Sequence, residues 1–140
     1  MRLSSHAYTL DNMNYYVHLT NNAVQCNSKQ YGSIIKGNIF SLTEFEDHIR
    51  CLEQDNPKVE IEFGKGYFFD QIKHSMRTCF DATHEMLNKK GRSGCFELFG
   101  FDFMIDENYH MWLIECNSCP SLEESNGFLT SLMHRMAGRV

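Results

Sequence analysis

Apolar and polar positions along this chain fall into five patterned stretches. The clearest runs from residue 95 to 119, CFELFGFDFMIDENYHMWLIECNSC, where two apolar runs flank the polar segment DENY. This pattern predicts a β-hairpin. With a loop of two residues (Glu107 and Asn108) or four (Asp106 to Tyr109), residues whose numbers sum to 215 face each other. Side chains alternate along a strand. One face then carries Gly100, Asp102, Leu113, Glu115 and Asn117, and the other Phe101, Phe103, Ile105, Trp112, Ile114 and Cys116. The second set is a core face.

Upstream, Tyr15, Val17 and Leu19 alternate with Tyr16, His18 and Thr20, which predicts a strand over 15–21 with His18, Thr20 and Asn21 gathered at its end. A shorter strand is expected near Arg2 to Ser4, and 22–40 reads as a long loop. S-L-T-E from Ser41 is a capping box with Glu44, and Phe45, Ile49 and Leu52 form a helical stripe ending before Asn56-Pro57. Lys58 to Tyr67 reads as a loop. The longest helix is expected from a cap at Asp70 to Asn88, with Ile72, Met76, Cys79, Phe80, Thr83, Met86 and Leu87 packing on the hairpin and Lys89, Lys90 and Gly91 as a stop signal. GRSG at 91–94 is a turn, and Leu122 to Met136 reads as a final helix. The fold class is α/β (α+β), an antiparallel sheet packed by helices.

Composition narrows the function. At 140 residues, 42% hydrophobic and 22% charged, the chain has the size of one domain or part of one. A net charge of −5 offers no bulk attraction for nucleic acid, so an acidic partner would need a local basic patch. No run of 18 apolar residues is present and the first residues lack a signal-peptide pattern, so the expectation is a cytoplasmic protein without membrane contact. Of six cysteines only Cys116 and Cys119 form a C-x-x-C. A zinc site would want a second such pair. A redox module is an alternative, with Cys116 on the core face counting against it.

The predicted hairpin supplies the candidate chemistry. Diagonal neighbours on one face of an antiparallel pair lie about 7–8 Å apart at Cα, so Asp102 and Glu115 could share an ion beneath the space left by Gly100. Mg²⁺ takes one or two carboxylates and fills its octahedron with water and phosphate oxygens. A hairpin with a merely solvated polar face fits the spacing equally well. His18, Thr20 and Asn21, at a strand end, are candidates for ligand contact or for capping the next turn.

HLTN at 18–21 followed by AVQ, YG at 31–32, GN at 37–38, ELFGFDFMID at 97–106 and WLIECN at 112–117 strongly resemble the tubulin-tyrosine ligase-like family, in unbroken order from about Arg2 to Met136. The resemblance implies the C-terminal portion of an ATP-grasp catalytic domain over 1–140. It implies Asp102, Glu115 and Asn117 as the Mg²⁺ ligands at the ATP phosphates, Thr20 and Asn21 near the nucleotide with His18 supporting them, and Arg2 reaching the terminal phosphate and acceptor. The implied reaction is ATP- and Mg²⁺-dependent ligation of a free amino acid, with glutamate expected, to tubulin and its acidic tails through an acyl phosphate. The implied setting is the microtubule cytoskeleton, cilium or basal body. The family's adenine-contacting hinge, phosphate-binding lysines and D-x-R segment lie N-terminal to the matched portion, so the chain is expected to be a fragment. A non-catalytic binding module that keeps the fold is the alternative from another class.

Overall fold

The structure, a computed structural model, describes residues 1–35, 38–55, 66–120, Ser131, His134, Arg135 and Gly138. Most of the loop expected from Lys58 and of the helix expected over Leu122 to Met136 lies outside the described residues. The chain forms two compact units, Met1–Glu60 and Ile61–Val140.

In the first unit the opening residues run antiparallel to residues 38–40: Arg2 bridges Ile39, Leu3 N–H donates to the Asn38 carbonyl at 2.9 Å, and Phe40 N–H donates to the Met1 carbonyl at 2.9 Å. The short strand expected at Arg2 is thus a single bridge. The strand expected over 15–21 is replaced by one helical turn, α1 (Tyr15–His18), and α2 (Asn22–Gln25) follows inside the expected loop. Local capping explains the difference. The Asn14 side chain accepts from Tyr16 N–H at 3.0 Å and that of Asn21 from Ala23 N–H at 2.9 Å, so each asparagine opens a turn. The apolar alternation marks no face, because Val17 is buried while Tyr15 and Leu19 are exposed.

Helix α3 (Leu42–Asp55) starts where the sequence places it. Ser41 N–H donates to Glu44 Oε2 at 2.7 Å, and Glu44 N–H donates to Ser41 Oγ at 3.2 Å, so two otherwise orphaned donors are satisfied reciprocally. The Ser41 side chain, and then its backbone N–H, hold the Glu44 carboxyl below its ordinary value. That contribution is present above the unfolded value and is lost as pH falls through the depressed folded value. Phe45 and Ile49 are buried, whereas Leu52, the third member of the expected stripe, is exposed. Ser41→Ala should cost about 1 kcal/mol of stability, read as a lower urea midpoint. An unchanged midpoint would mean the cap adds nothing.

The second unit holds α4 (Tyr67–Leu87), β1 (Gly100–Ile105) and β2 (Met111–Asn117), the strands paired antiparallel. Helix α4 begins one turn earlier than expected. Gly66 caps it at φ 88°, Asp70 N–H donates to the Gly66 carbonyl at 3.0 Å, and Asp70 lies in the first turn, where a carboxylate favours the helix dipole. The helix packs on the hairpin through Phe80, whose ring meets Phe99 at 5.6 Å and Phe101 at 5.8 Å. Gln71 bridges helix and hairpin: it donates to the Tyr109 carbonyl at 3.2 Å and accepts from Met111 N–H at 2.9 Å. Ile72, Met76, Cys79, Phe80 and Thr83 are half-buried, but Met86 and Leu87 at the far end are exposed rather than core residues.

The hairpin loop holds five residues, Asp106 to His110, with Tyr109 at φ 61°. Asp106 organises it, accepting from Asn108 N–H, His110 N–H and Trp112 Nε1–H at 2.9, 3.0 and 2.8 Å. Those bonds, Trp112 first, hold its carboxyl below the ordinary range.

Candidate functional site

An odd loop length changes the expected pairing. Beyond the loop Ile105 faces Met111, Met104 faces Trp112 and Phe103 faces Leu113, and then the register shifts by one residue, leaving Ile114 extra. Gly100, Phe101 and Asp102 consequently face Asn117, Cys116 and Glu115. The odd loop reverses the expected parity and the bulge at Ile114 restores it. Leu113 therefore joins Phe103 on the helix-facing side and Trp112 joins Met104 on the other, opposite to the expected assignment. Asp102, Glu115, Asn117 and Gly100 still share one face. A bulge inserted beside a polar cluster re-aims side chains, and such bulges recur next to active sites.

On that face Asp102 and Glu115 are directly opposite rather than diagonal. Asn117 Nδ2 donates to Asp102 Oδ2 at 3.3 Å and to Glu115 Oε1 at 3.1 Å. The positive end of the amide dipole thus lies between two carboxylates whose mutual repulsion it offsets, and all three side chains are exposed. The donor set, two carboxylates and an amide that can present its oxygen by rotation, suits a hard divalent cation. Among the described residues there is no group of three or more His, Cys, Asp and Glu placed to hold a metal. Gly100 serves another purpose than leaving room for an ion. A Cβ there would lie 2.9 Å from Pro120 Cβ, so the chain after the C-x-x-C crosses where a side chain would be.

The other candidates belong to the first unit. Asn21 caps α2, as its alternative reading had it. His18 Nε2 lies 2.5 Å from the Asn12 carbonyl oxygen and its ring meets Tyr8 edge-on at 5.4 Å. Thr20 and Arg2 are exposed, and Arg2 has no ion-pair partner among the described residues. What joins their segments is a buried amide network whose centre, Gln25, is 1% exposed. Gln25 Oε1 accepts from Ser5 N–H at 2.8 Å and Ser5 Oγ–H at 2.7 Å, and its Nε2 donates to the carbonyls of Tyr16 at 3.0 Å and Leu19 at 2.5 Å. Asn38, at φ 52°, extends it: its Nδ2 donates to Ser5 Oγ at 2.8 Å and to the Leu3 carbonyl at 3.3 Å, while its Oδ1 accepts from Gly32 N–H at 2.8 Å. The amide of Gln25 thereby ties the chain after Arg2 to the chain on either side of His18. In the sequence AVQ and GN stand out only as motif, with no role visible for either amide. Neither periodicity nor charge marks a buried Gln or Asn.

The C-x-x-C carries little sign of redox function. Partial desolvation, and then nearby Cys79, push the Cys116 thiol above its ordinary value, although the residue as a whole is exposed. A redox-active cysteine needs the opposite shift. All six cysteines are free thiols.

Comparison with known proteins identifies the family. The chain is 35% identical to tubulin glycylase 3A of Drosophila melanogaster, over 97% of this chain and 13% of that protein. It is 31% identical to tubulin glycylase 3D of Tetrahymena thermophila, over 97% of this chain and 13% of that protein. It is 33% identical to the probable tubulin polyglutamylase TTLL9 of Mus musculus, over 89% of this chain and 25% of that protein. The chain thus spans between about an eighth and a quarter of the length of these relatives. The profile of the tubulin-tyrosine ligase family matches residues 1–140, the whole chain, and the chain belongs to that family.

Proposed function

We propose that this chain is part of an ATP- and Mg²⁺-dependent ligase that joins an amino acid to tubulin, acting at microtubules, and that it contributes the C-terminal portion of an ATP-grasp catalytic domain. The observation that carries the reading is the convergence of Asp102, Glu115 and Asn117, with one amide in reach of two facing carboxylates. Two like charges set directly opposite on a hairpin destabilise it, and that cost is understandable if a cation is to be held there. Relatives that are glycylases and a polyglutamylase support the reaction class.

In this reading Asp102, Glu115 and Asn117 would hold Mg²⁺, which when bound supplies positive charge to phosphate oxygens. An acceptor carboxylate on tubulin attacks the terminal phosphoryl group of ATP, forming an acyl phosphate and releasing ADP. The incoming amine, after losing a proton, attacks the acyl carbon; an amide forms and phosphate leaves. Arg2 is assigned to the transferred phosphoryl group and acceptor, where negative charge accumulates. Thr20 and Asn21 are assigned to the nucleotide, with His18 behind them. No side-chain nucleophile is needed. Glycine is placed ahead of the glutamate expected from the sequence, because both the Drosophila and the Tetrahymena relatives are glycylases.

The test supplies a protein that carries this chain within a whole catalytic domain with tubulin, ATP, Mg²⁺ and either tritiated glycine or tritiated glutamate. ATP-dependent label in tubulin, larger with glycine, is the expected result. A higher yield with glutamate would reverse the choice of amino acid. No label from either, together with no calorimetric heat from Mg-ATP, would favour a non-catalytic binding module.

A further inference from the structure

Asn38 is 2% exposed, and its backbone and side-chain polar groups all have partners. Its N–H donates to the Ile35 carbonyl at 2.9 Å, and its carbonyl accepts from Leu3 N–H at 2.9 Å. In the side chain, Oδ1 accepts from Gly32 N–H at 2.8 Å, and Nδ2 donates to the Leu3 carbonyl at 3.3 Å and to Ser5 Oγ at 2.8 Å. One residue thus holds Leu3 by both its N–H and its carbonyl, and the residue before Leu3 is Arg2. We propose that Asn38 is the positioning residue for Arg2, fixing the backbone from which the guanidinium is presented to the transferred phosphoryl group. The inference rests on the ligase reading, which assigns Arg2 to that group, and adds to it a residue that acts only through another.

Three observations support that role. First, Arg2 is exposed and has no ion-pair partner among the described residues, so its direction is inherited from its backbone. That backbone is held one residue to either side. Asn38 holds Leu3, and the Met1 carbonyl accepts from Phe40 N–H at 2.9 Å, with Arg2 itself bridged to Ile39 between them. Second, the residue type fits the task. Asn38 has φ 52°, in the left-handed region that Gly, Asn and Asp tolerate. Of these only Asn supplies both a donor for the Leu3 carbonyl and an acceptor for Gly32 N–H. Gly would keep the turn and lose the side-chain bonds, and ionised Asp would keep the acceptor and lose both donated bonds. Third, the two buried amides hold different segments. Gln25 bonds to Ser5, Tyr16 and Leu19, which fixes the chain around His18 rather than the residue next to Arg2. A guanidinium must meet negative charge where it develops on the phosphoryl oxygens, and a misplacement of about 1 Å can cost on the order of 100-fold in rate. A clamp beside Arg2 is therefore a place where rate can be lost while every reacting group is still present.

The experiment is a double-mutant cycle in a protein that carries this chain within a whole catalytic domain, reading initial rates of ATP-dependent amino-acid transfer to tubulin per folded molecule. Asn38→Gly, which tolerates the left-handed backbone, should lower kcat roughly ten- to hundredfold. It should leave KM for ATP within about twofold, because Arg2 acts on charge that develops in the transition state. Arg2→Ala should lower kcat at least as much. In the Arg2→Ala background, Asn38→Gly should change kcat by less than about twofold, since no guanidinium remains to be aimed. Asn38→Asp keeps the size and the acceptor for Gly32 N–H; it takes the place of Asn38→Gly if that variant does not fold, and should give the same pattern. Equal losses in both backgrounds would mean a purely structural role and overturn the proposal while leaving the ligase reading intact. A rise in KM for ATP at unchanged kcat would overturn it too. If Arg2→Ala leaves kcat unchanged while Asp102→Asn abolishes turnover, this inference falls and the carboxylate site stands. No turnover in the parent protein would overturn both the ligase reading and this inference.

Discussion

Asp102→Asn is expected to abolish the Mg²⁺ response of this chain while leaving the metal-free hairpin as stable or slightly more so. The substitution keeps the shape of the side chain and removes one of two carboxylates that face each other across the ladder. Like charges directly opposite are destabilising, typically within about 0.2–1 kcal/mol, so the metal-free thermal midpoint should not fall. A divalent ion bound through two carboxylates and an amide would lose half of its formal protein charge, and ligase turnover by a protein containing the site should drop on the order of 100-fold or more, as when other charge-stabilising groups are removed. Glu115→Gln should behave in the same way, because the two acids are equivalent about the Asn117 amide. The measurement is a pair of thermal melts with and without Mg-ATP. If the metal-free midpoint falls and the Mg-ATP shift persists, the acids are structural and no metal site is there.

Gln25→Leu is expected to be the most damaging single substitution for stability in the first unit. It fills a similar space but leaves Ser5 N–H and the Leu19 carbonyl without their partner, and it removes one of the two partners of Ser5 Oγ and of the Tyr16 carbonyl, around a side chain that is 1% solvent-exposed. Buried groups left unsatisfied cost about 1–3 kcal/mol each. Partial relaxation brings the expected total to roughly 3–5 kcal/mol, read as a fall in the urea midpoint. Gln25→Glu retains the acceptor and, only when protonated, one donor. Burial and the bonds its neutral form makes raise its folded pKa. Its stability should therefore be best in mild acid and decline as pH rises past the ordinary carboxyl value. A midpoint unchanged in Gln25→Leu, or a Gln25→Glu variant indifferent to pH, would mean that the amide does not hold these segments together.

The expected and observed structures agree where the physics is local. Ser41 and Glu44 sit three residues apart, and the reciprocal bonds they form need no other part of the chain. The long helix, its stop at Asn88 and the existence of the hairpin follow from periodicity in the same way. The capping asparagines were equally local, yet the alternation of Tyr15, Val17 and Leu19 suggested a strand. One asparagine bond per turn outweighs a pattern that has no partner strand to bury against among the described residues.

The three candidate side chains share a face as the alternation predicts, although the predicted register differs from the observed one. Sequence alone determined that Asp102, Glu115 and Asn117 belong together, since the motif around them identifies the family and strand alternation keeps them on one face. Only the tertiary structure decided how they meet. The five-residue loop, set by Asp106 accepting three N–H bonds, reverses the pairing, and the extra residue at Ile114 reverses it again, so the acids end opposite each other. Trp112 and Leu113, lying between loop and bulge, exchange faces for the same reason. The buried amides of Gln25 and Asn38 were likewise decided by folding, because a polar side chain becomes structural only when distant backbone groups close around it. Sequence spacing records which residues share a period; loop geometry and burial determine which atoms those residues finally touch.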